Sequence, residues 1–167
     1  MLPDATERLR FREMSEDDLD AMARLLGDPT VMRFYPRPKT RDEALEWIRW
    51  NERNYADHGH GLWIIETDAG EFLGDCGLTL QPVDGEQVLE VGFHVLPGHQ
   101  GLGYASEAAT ACLRFAQDVL GAAYVTAIIN PDNTLSRRVA EKLGMALEQH
   151  TVVHGQPVVV YSRRLST

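Results

Sequence analysis

The strongest constraint on the fold is a change of hydrophobic period in the middle of the chain. Val88–Leu96 (VLEVGFHVL) reads as a strand, ended by Pro97-Gly98. Tyr104–Val119 then switches to helical spacing, with Ala105, Ala108, Ala109, Cys112, Phe115, Ala116 and Val119 on one apolar face. The small residues on that face permit close packing on a sheet. Tyr124–Ile129 returns to an apolar strand, and Asn133–Leu143 to a helix closed by Gly144. A strand–helix–strand–helix run implies locally parallel strands joined by a right-handed crossover.

The flanking segments complete the pattern. Leu9–Met14 alternates as a half-buried strand; Ser15 caps a helix carrying Leu19, Met22, Ala23 and Leu26, which Gly27-Asp28-Pro29 ends. Tyr35–Thr40, with two prolines, is a loop, and Thr40 with Glu43 forms a capping box for a second helix through Tyr55. On that helix Trp47 and Trp50 fit core or interface packing better than a substrate wall. Leu62–Thr67 and Phe72–Leu80 are strands joined at Asp68-Ala69-Gly70, and Met145–Val153 and Val158–Leu165 form a hairpin around His154-Gly155. The order β-α-α-β-β-β-α-β-α-β-β describes an α/β (α+β) chain with a mixed sheet of about seven strands and helices on its faces. No repeat, low-complexity tract or linker divides it, so residues 1–167 read as a single domain.

Composition removes several function classes. The chain has 167 residues, enough for one core, and no apolar run approaches the roughly 18 residues of a membrane span. The opening MLPDATERLRFRE lacks the apolar centre of a secretory signal, so a cytoplasmic protein is expected, with no membrane partner. A net charge of −9, from 16 basic and 25 acidic residues, speaks against nucleic acid as a partner. Cys76 and Cys112 lie in apolar segments without CxxC or zinc spacing and read as reduced, packed thiols. His58 and His60 form an HxH in a polar loop with no further ligand beside it, so no metal is expected.

The segment Gln100-Gly101-Leu102-Gly103-Tyr104-Ala105 sits directly between the strand and the helix. Glycines turn the backbone tightly, several N–H groups converge, and the helix N-terminus adds partial positive charge, so the turn can hold a pyrophosphate without a basic side chain. A Walker loop is excluded because Tyr104-Ala105-Ser106 replaces Gly-Lys-Ser/Thr. A dinucleotide fingerprint is excluded because position 106 is Ser and two helices and several strands precede the turn.

PGHQGLGYASE, from Pro97 to Glu107, resembles the pyrophosphate loop of the GNAT N-acetyltransferase superfamily, with Gln100, Gly103 and Ala105 at its pattern positions. Asn133-Thr-Leu-Ser136 followed by Lys142-Leu-Gly144-Met145 is similar to a segment of the branch that contains ribosomal-protein N-terminal acetyltransferases. The opening LRFREMSEDDLDAMARLLGDPTVMRFY resembles that branch too. The resemblance implies a mostly antiparallel sheet whose two splayed parallel strands, Val88–Leu96 and Tyr124–Ile129, hold acetyl-CoA as co-substrate. It implies that the backbone of a bulge at Phe93, His94 and Val95 pairs with the pantetheine arm and supplies an oxyanion donor near His94 or Val95. Gln100, Gly101, Leu102, Gly103, Tyr104 and Ala105 would take the pyrophosphate. Asn133 would bind the pantetheine arm as well as cap the last helix, and Ser136 would lie near the thiolate.

The implied reaction is direct attack of an amine on the thioester, the acceptor being a small-molecule amine or a protein N-terminus bound by a monomer or homodimer. An amine must shed a proton first. Glu90, at a position where many members carry a catalytic glutamate, is the first candidate for base. His94, on the same face if the strand alternates regularly, is the second, as base or relay. Some members place a glutamate five residues before the Asn and many place a tyrosine acid seven residues after it; this chain has Ile128 and Ala140 there. Ser136 is then the replacement donor to the leaving thiolate. A non-catalytic acyl-CoA sensor on the same fold is the alternative.

Overall fold

The computed structural model describes residues 1–165. The elements in order are β1 (Leu9–Arg12), a 3₁₀ turn (Glu16–Asp18), α1 (Leu19–Leu26), α2 (Arg41–His58), β2 (Leu62–Thr67), β3 (Phe72–Val83), β4 (Glu86–Val95), a second 3₁₀ turn (Pro97–His99), α3 (Tyr104–Asp118), β5 (Tyr124–Ile129), α4 (Thr134–Lys142), β6 (Ala146–Val153) and β7 (Gln156–Arg164). The predicted order holds throughout. One seven-stranded sheet runs β1-β2-β3-β4-β5-β7-β6. Every pairing is antiparallel except β4 with β5.

Local chemistry sets the boundaries. Thr40 caps α2 by accepting from the Glu43 amide at 3.2 Å, while Glu43 reaches back to the Thr40 N–H at 2.9 Å, the reciprocal box read from sequence. β3 and β4 run farther than their apolar patterns and meet in a tight turn, where Asp84 (φ 49°) and Gly85 (φ 84°) are both left-handed. Val119, expected on the buried face of α3, instead caps its C-terminus and is 42% exposed.

The sheet is covered on both faces. On one, α3 packs Ala108, Ala109, Cys112 and Phe115 against Trp63, Leu78, Val91 and Val125. On the other, α1 and α2 bring Met22, Leu25 and Ile48 onto Ile64 and Leu96. Cys76 and Cys112 are both buried and free, their sulfurs 3.7 Å apart within the first cluster. His60 is buried rather than in a polar loop, with Nδ1 2.8 Å from the Leu78 carbonyl. Among the described residues no helix is long and apolar enough to cross a membrane.

Candidate active site

Two strands that begin together and then part create the site. β4 meets β5 only at Glu90–Thr126 and diverges beyond it. Its other edge stays paired with β3 from Val83–Glu86 through Gly74–Val95 without a register shift. The bulge expected at Phe93–Val95 is therefore absent on the β3 side, and the opening comes from β5 leaving. This regular pairing keeps Glu90, Gly92 and His94 on one face.

The opening is part of a cleft of about 1200 Å³. Its walls bring together Glu90, Phe93, His94, Val95, Gln100, Gly101, Gly103, Ala105, Asn133 and Ser136, as the sequence suggested. Leu102 and Tyr104 are not in the wall: the Leu102 carbonyl accepts from Arg8 Nη1 at 2.9 Å, and the Arg8 guanidinium lies 4.3 Å from the centre of the Tyr104 ring. Arg8 also pairs with Glu107 at 2.7 Å, so the first strand's edge pins the turn in place. Trp47 and Trp50, read as packing residues, pack on the α1–α2 cluster and also line the cleft.

The turn has the form an anion requires. Gln100 Nε2 donates to the Val95 carbonyl at 2.9 Å, fastening the turn to β4. Gly101 (φ 76°) and Gly103 (φ 84°) are left-handed, and a Cβ on Gly101 would meet nothing within 4 Å. Among the described residues no side chain caps α3, and no backbone carbonyl accepts from Gly101, Leu102 or Gly103. With the unpaired first-turn amides of α3, these donors form an unsatisfied cradle at the positive end of a helix. Across the cleft, Asn133 Oδ1 accepts from the Ser136 amide at 3.1 Å, capping α4 as expected.

The titratable groups on the opposite side of β4 are arranged unequally. Glu90 is half-buried and has no hydrogen-bond or ion-pair partner among the described residues. Burial pushes its carboxyl up to about 8, although the charge of His94 acts in the other direction. A Cβ on Gly92 would stand 3.2 Å from Glu90 Oε1, so this glycine leaves open the space over which the carboxyl lies. His94, by contrast, is fully engaged. Its Nδ1 lies 2.7 Å from Asp75 Oδ1 and its Nε2 2.7 Å from the Tyr35 hydroxyl. Burial opposes protonation of His94, but Tyr35 and Asp75 outweigh it and push the ring up to about 10. Asp75 is wholly buried, and its second oxygen accepts from Trp47 Nε1 at 3.3 Å.

Asp75, Tyr35 and Trp47 escaped the sequence reading as members of this cluster. Asp75 carried a signal, being a lone acid inside the apolar run Leu73–Leu80. Among the described residues no group of three or more His, Cys, Asp or Glu is placed to hold a metal ion.

Comparison with known proteins matches this architecture. The family model described as the acetyltransferase (GNAT) domain matches residues 8–146. The uncharacterized protein YkkB of Bacillus subtilis (strain 168) is 39% identical over 161 residues, covering 95% of this chain and 94% of that protein. The crystal structure of an acetyltransferase from Agrobacterium tumefaciens str. C58 superposes with a TM-score of 0.85 at 27% identity, covering 97% of this chain and 94% of that one. The fold is shared as well with the ribosomal L7/L12 alpha-N-protein acetyltransferase RimL in complex with coenzyme A, at a TM-score of 0.81 and 16% identity, over 99% and 98% of the two chains.

Proposed function

The chain belongs to the GNAT acetyltransferase family, and from that premise we propose that it moves the acetyl group of acetyl-CoA to a primary amine by direct attack, with Glu90 taking the amine's proton. The observation that carries the assignment is an unpartnered carboxyl at the apex of the cleft, beside the point where the two parallel strands part. A buried carboxyl without a partner costs stability, and such groups concentrate where their basicity is used. A protein α-amine titrates at about 7.7–8.0, so a base near 8 is matched to it, whereas an ordinary glutamate is too weak.

The remaining roles follow from the walls of the cleft. The amides of the Gln100–Ala105 turn hold the pyrophosphate of acetyl-CoA. Beyond Glu90 the β5-facing edge of β4 has no strand partner, so backbone groups of Phe93, His94 and Val95 pair with the pantetheine amides as an added strand would. An N–H from that edge polarises the thioester carbonyl. Asn133 contributes its amide to the pantetheine arm, and the Ser136 hydroxyl, in the first turn of α4, donates to the departing thiolate. His94, held as a cation at neutral pH with both ring nitrogens engaged by Asp75 and Tyr35, does not act as the base. The acceptor, a small-molecule amine or a protein N-terminus, enters between the 27–40 segment, α2 and the β6–β7 hairpin.

Thiol release from acetyl-CoA in the presence of small amines, amino acid amides and peptides tests the reading. Acceptor-dependent release with formation of the N-acetyl product is expected. Tight acetyl-CoA binding without release for any acceptor would make the protein a sensor rather than an enzyme.

A further inference from the structure

The hydrogens of the Trp47–Asp75–His94–Tyr35 chain can be assigned one by one. Trp47 Nε1 can only donate, and it donates to Asp75 Oδ2. The other Asp75 oxygen faces His94 Nδ1 at 2.7 Å, so that nitrogen carries a proton. Asp75 is wholly buried, and a buried carboxylate needs a cation; among the described residues the one paired with it is the His94 ring. The upward push on His94 agrees with this. The ring is then an imidazolium, Nε2–H donates to the Tyr35 oxygen at 2.7 Å, and Tyr35's own hydrogen must point elsewhere. Tyr35 stands in the cleft wall, 42% exposed, with no second partner for that hydrogen among the described residues.

We propose that Tyr35 binds the acceptor, its hydroxyl donating a hydrogen bond to an oxygen next to the reacting amine, and that Trp47, Asp75 and His94 are positioning residues that fix the direction of that hydrogen. This rests on the amine acetylation proposed above. The spacing fixes the neighbourhood. Same-face positions on a strand repeat about every 6.8 Å, and because Gly92 has no side chain the Glu90 carboxyl lies over it, 3.2 Å from where a Cβ would stand and so turned toward the His94 end of the strand. An amine giving its proton to that carboxyl lies on the cleft side of it, and the atoms attached to the amine extend toward Tyr35 in the same wall. The acceptor class is therefore an amine with an adjacent carbonyl or carboxylate; a saturated polyamine offers no such oxygen. The other groups around His94 do not supply the donor. Glu90 on its own strand only accepts when ionised, Trp47 on α2 is spent on Asp75, and Lys39 lies over the Trp47 ring at 5.4 Å.

The test compares alaninamide with 3-methylbutan-2-amine, which replaces the amide by an isopropyl group of similar shape. Tyr35→Phe should lower kcat/KM for alaninamide about tenfold more than for the alkylamine, the effect of one ordinary hydrogen bond. Asp75→Asn should give the same selective loss with Tyr35 still present, because a neutral His94 turns the tyrosine hydrogen back on itself. A purely structural Asp75 would lower thermal stability and leave the ratio alone. Nitrogen-15 NMR of the His94 ring at pH 8 should show two protonated nitrogens in the wild type and one in Asp75→Asn. A neutral wild-type ring, or equal losses on the two amines in Tyr35→Phe, overturns the inference while leaving the acetyltransferase reading intact. No thiol release with any amine removes both.

Discussion

Replacing Glu90 by Gln keeps the shape of the side chain and removes its proton acceptor. General base help is worth about 10²–10⁴-fold, so kcat/KM at neutral pH should fall on that scale. The pH dependence separates this from structural damage. If Glu90 accepts the proton of a bound ammonium, the wild-type profile for a lysine-type amine rises to about 8, where Glu90 becomes ionised, and then flattens. The Gln variant depends only on free amine and keeps rising toward the amine's own value of about 10.4, so the gap closes by up to about 250-fold between the two. Stability gives a second reading of the same group. The folded chain holds a proton on Glu90 that the unfolded chain releases from 4.5 upward, so wild-type stability should fall as pH rises from 4.5 to about 8. The difference between those values, at 1.36 kcal/mol for each pH unit, sets a ceiling of about 5 kcal/mol. Contact of Glu90 with solvent in the cleft lowers this to a few kcal/mol. Glu90→Gln should thus match the wild type in thermal unfolding at pH 4 and exceed it at pH 9. Parallel pH–rate profiles from pH 6 to 10, with equal melting temperatures at pH 9, would refute the base assignment and its physical cause together.

Gly103→Asp forces a side chain into a left-handed backbone (φ 84°) with its Cβ 3.3 Å from Arg8 Nη2, disturbing the clamp on the turn and adding negative charge at the N-terminus of α3; calorimetry should show acetyl-CoA affinity at least tenfold weaker in a variant that still folds. Ser136→Ala leaves the Asn133 cap intact, since that bond uses the Ser136 amide, and should lower single-turnover kcat about tenfold or more with little change in acetyl-CoA affinity. An unchanged single-turnover rate would remove the hydroxyl from thiolate departure.

The order of elements was legible because apolar period is local. The same is true of the phosphate turn, whose glycines, strand and helix are contiguous. What stayed hidden depends on contacts across the chain or on exposed ends. β3 extends through Gln81-Pro82-Val83, where polar residues and a proline interrupt the apolar pattern that betrays a strand. Only the Asp84-Gly85 pair carried the turn, and it lay outside the apolar runs. The His94 network was out of reach for a different reason. Asp75 meets His94 through the β3–β4 register, Trp47 arrives with α2, and Tyr35 sits on a segment without periodicity. For Trp47 and Trp50, three-residue spacing says which residues share a face and not what that face borders, so packing is all that it indicates.

The two carboxyls on this side of the sheet divide the proton chemistry between them. Asp75 has both oxygens engaged and the His94 ring in contact with it, while Glu90 has no hydrogen-bond or ion-pair partner among the described residues. Glu90 and His94, pushed up to about 8 and about 10, are groups suited to separate duties. From neutral pH to about 8 His94 retains its proton and Glu90 begins to lose its own, so the second becomes a base while the first remains a fixed cation. The close approach of strands at this point supports that division. A Cβ on Gly74, beside Asp75, would lie 1.9 Å from the His94 carbonyl oxygen, so only glycine lets β3 come near enough to present Asp75 to the ring. Ile128 and Ala140 offer neither a base nor an acid. On the present proposal, the base lies on β4, the acid in the first turn of α4, and a donor for the acceptor on the 27–40 segment. Enlarging Gly74 should then disturb His94 and acceptor selection before it disturbs acetyl-CoA binding, because the phosphate cradle is fastened through Gln100 and Arg8 instead.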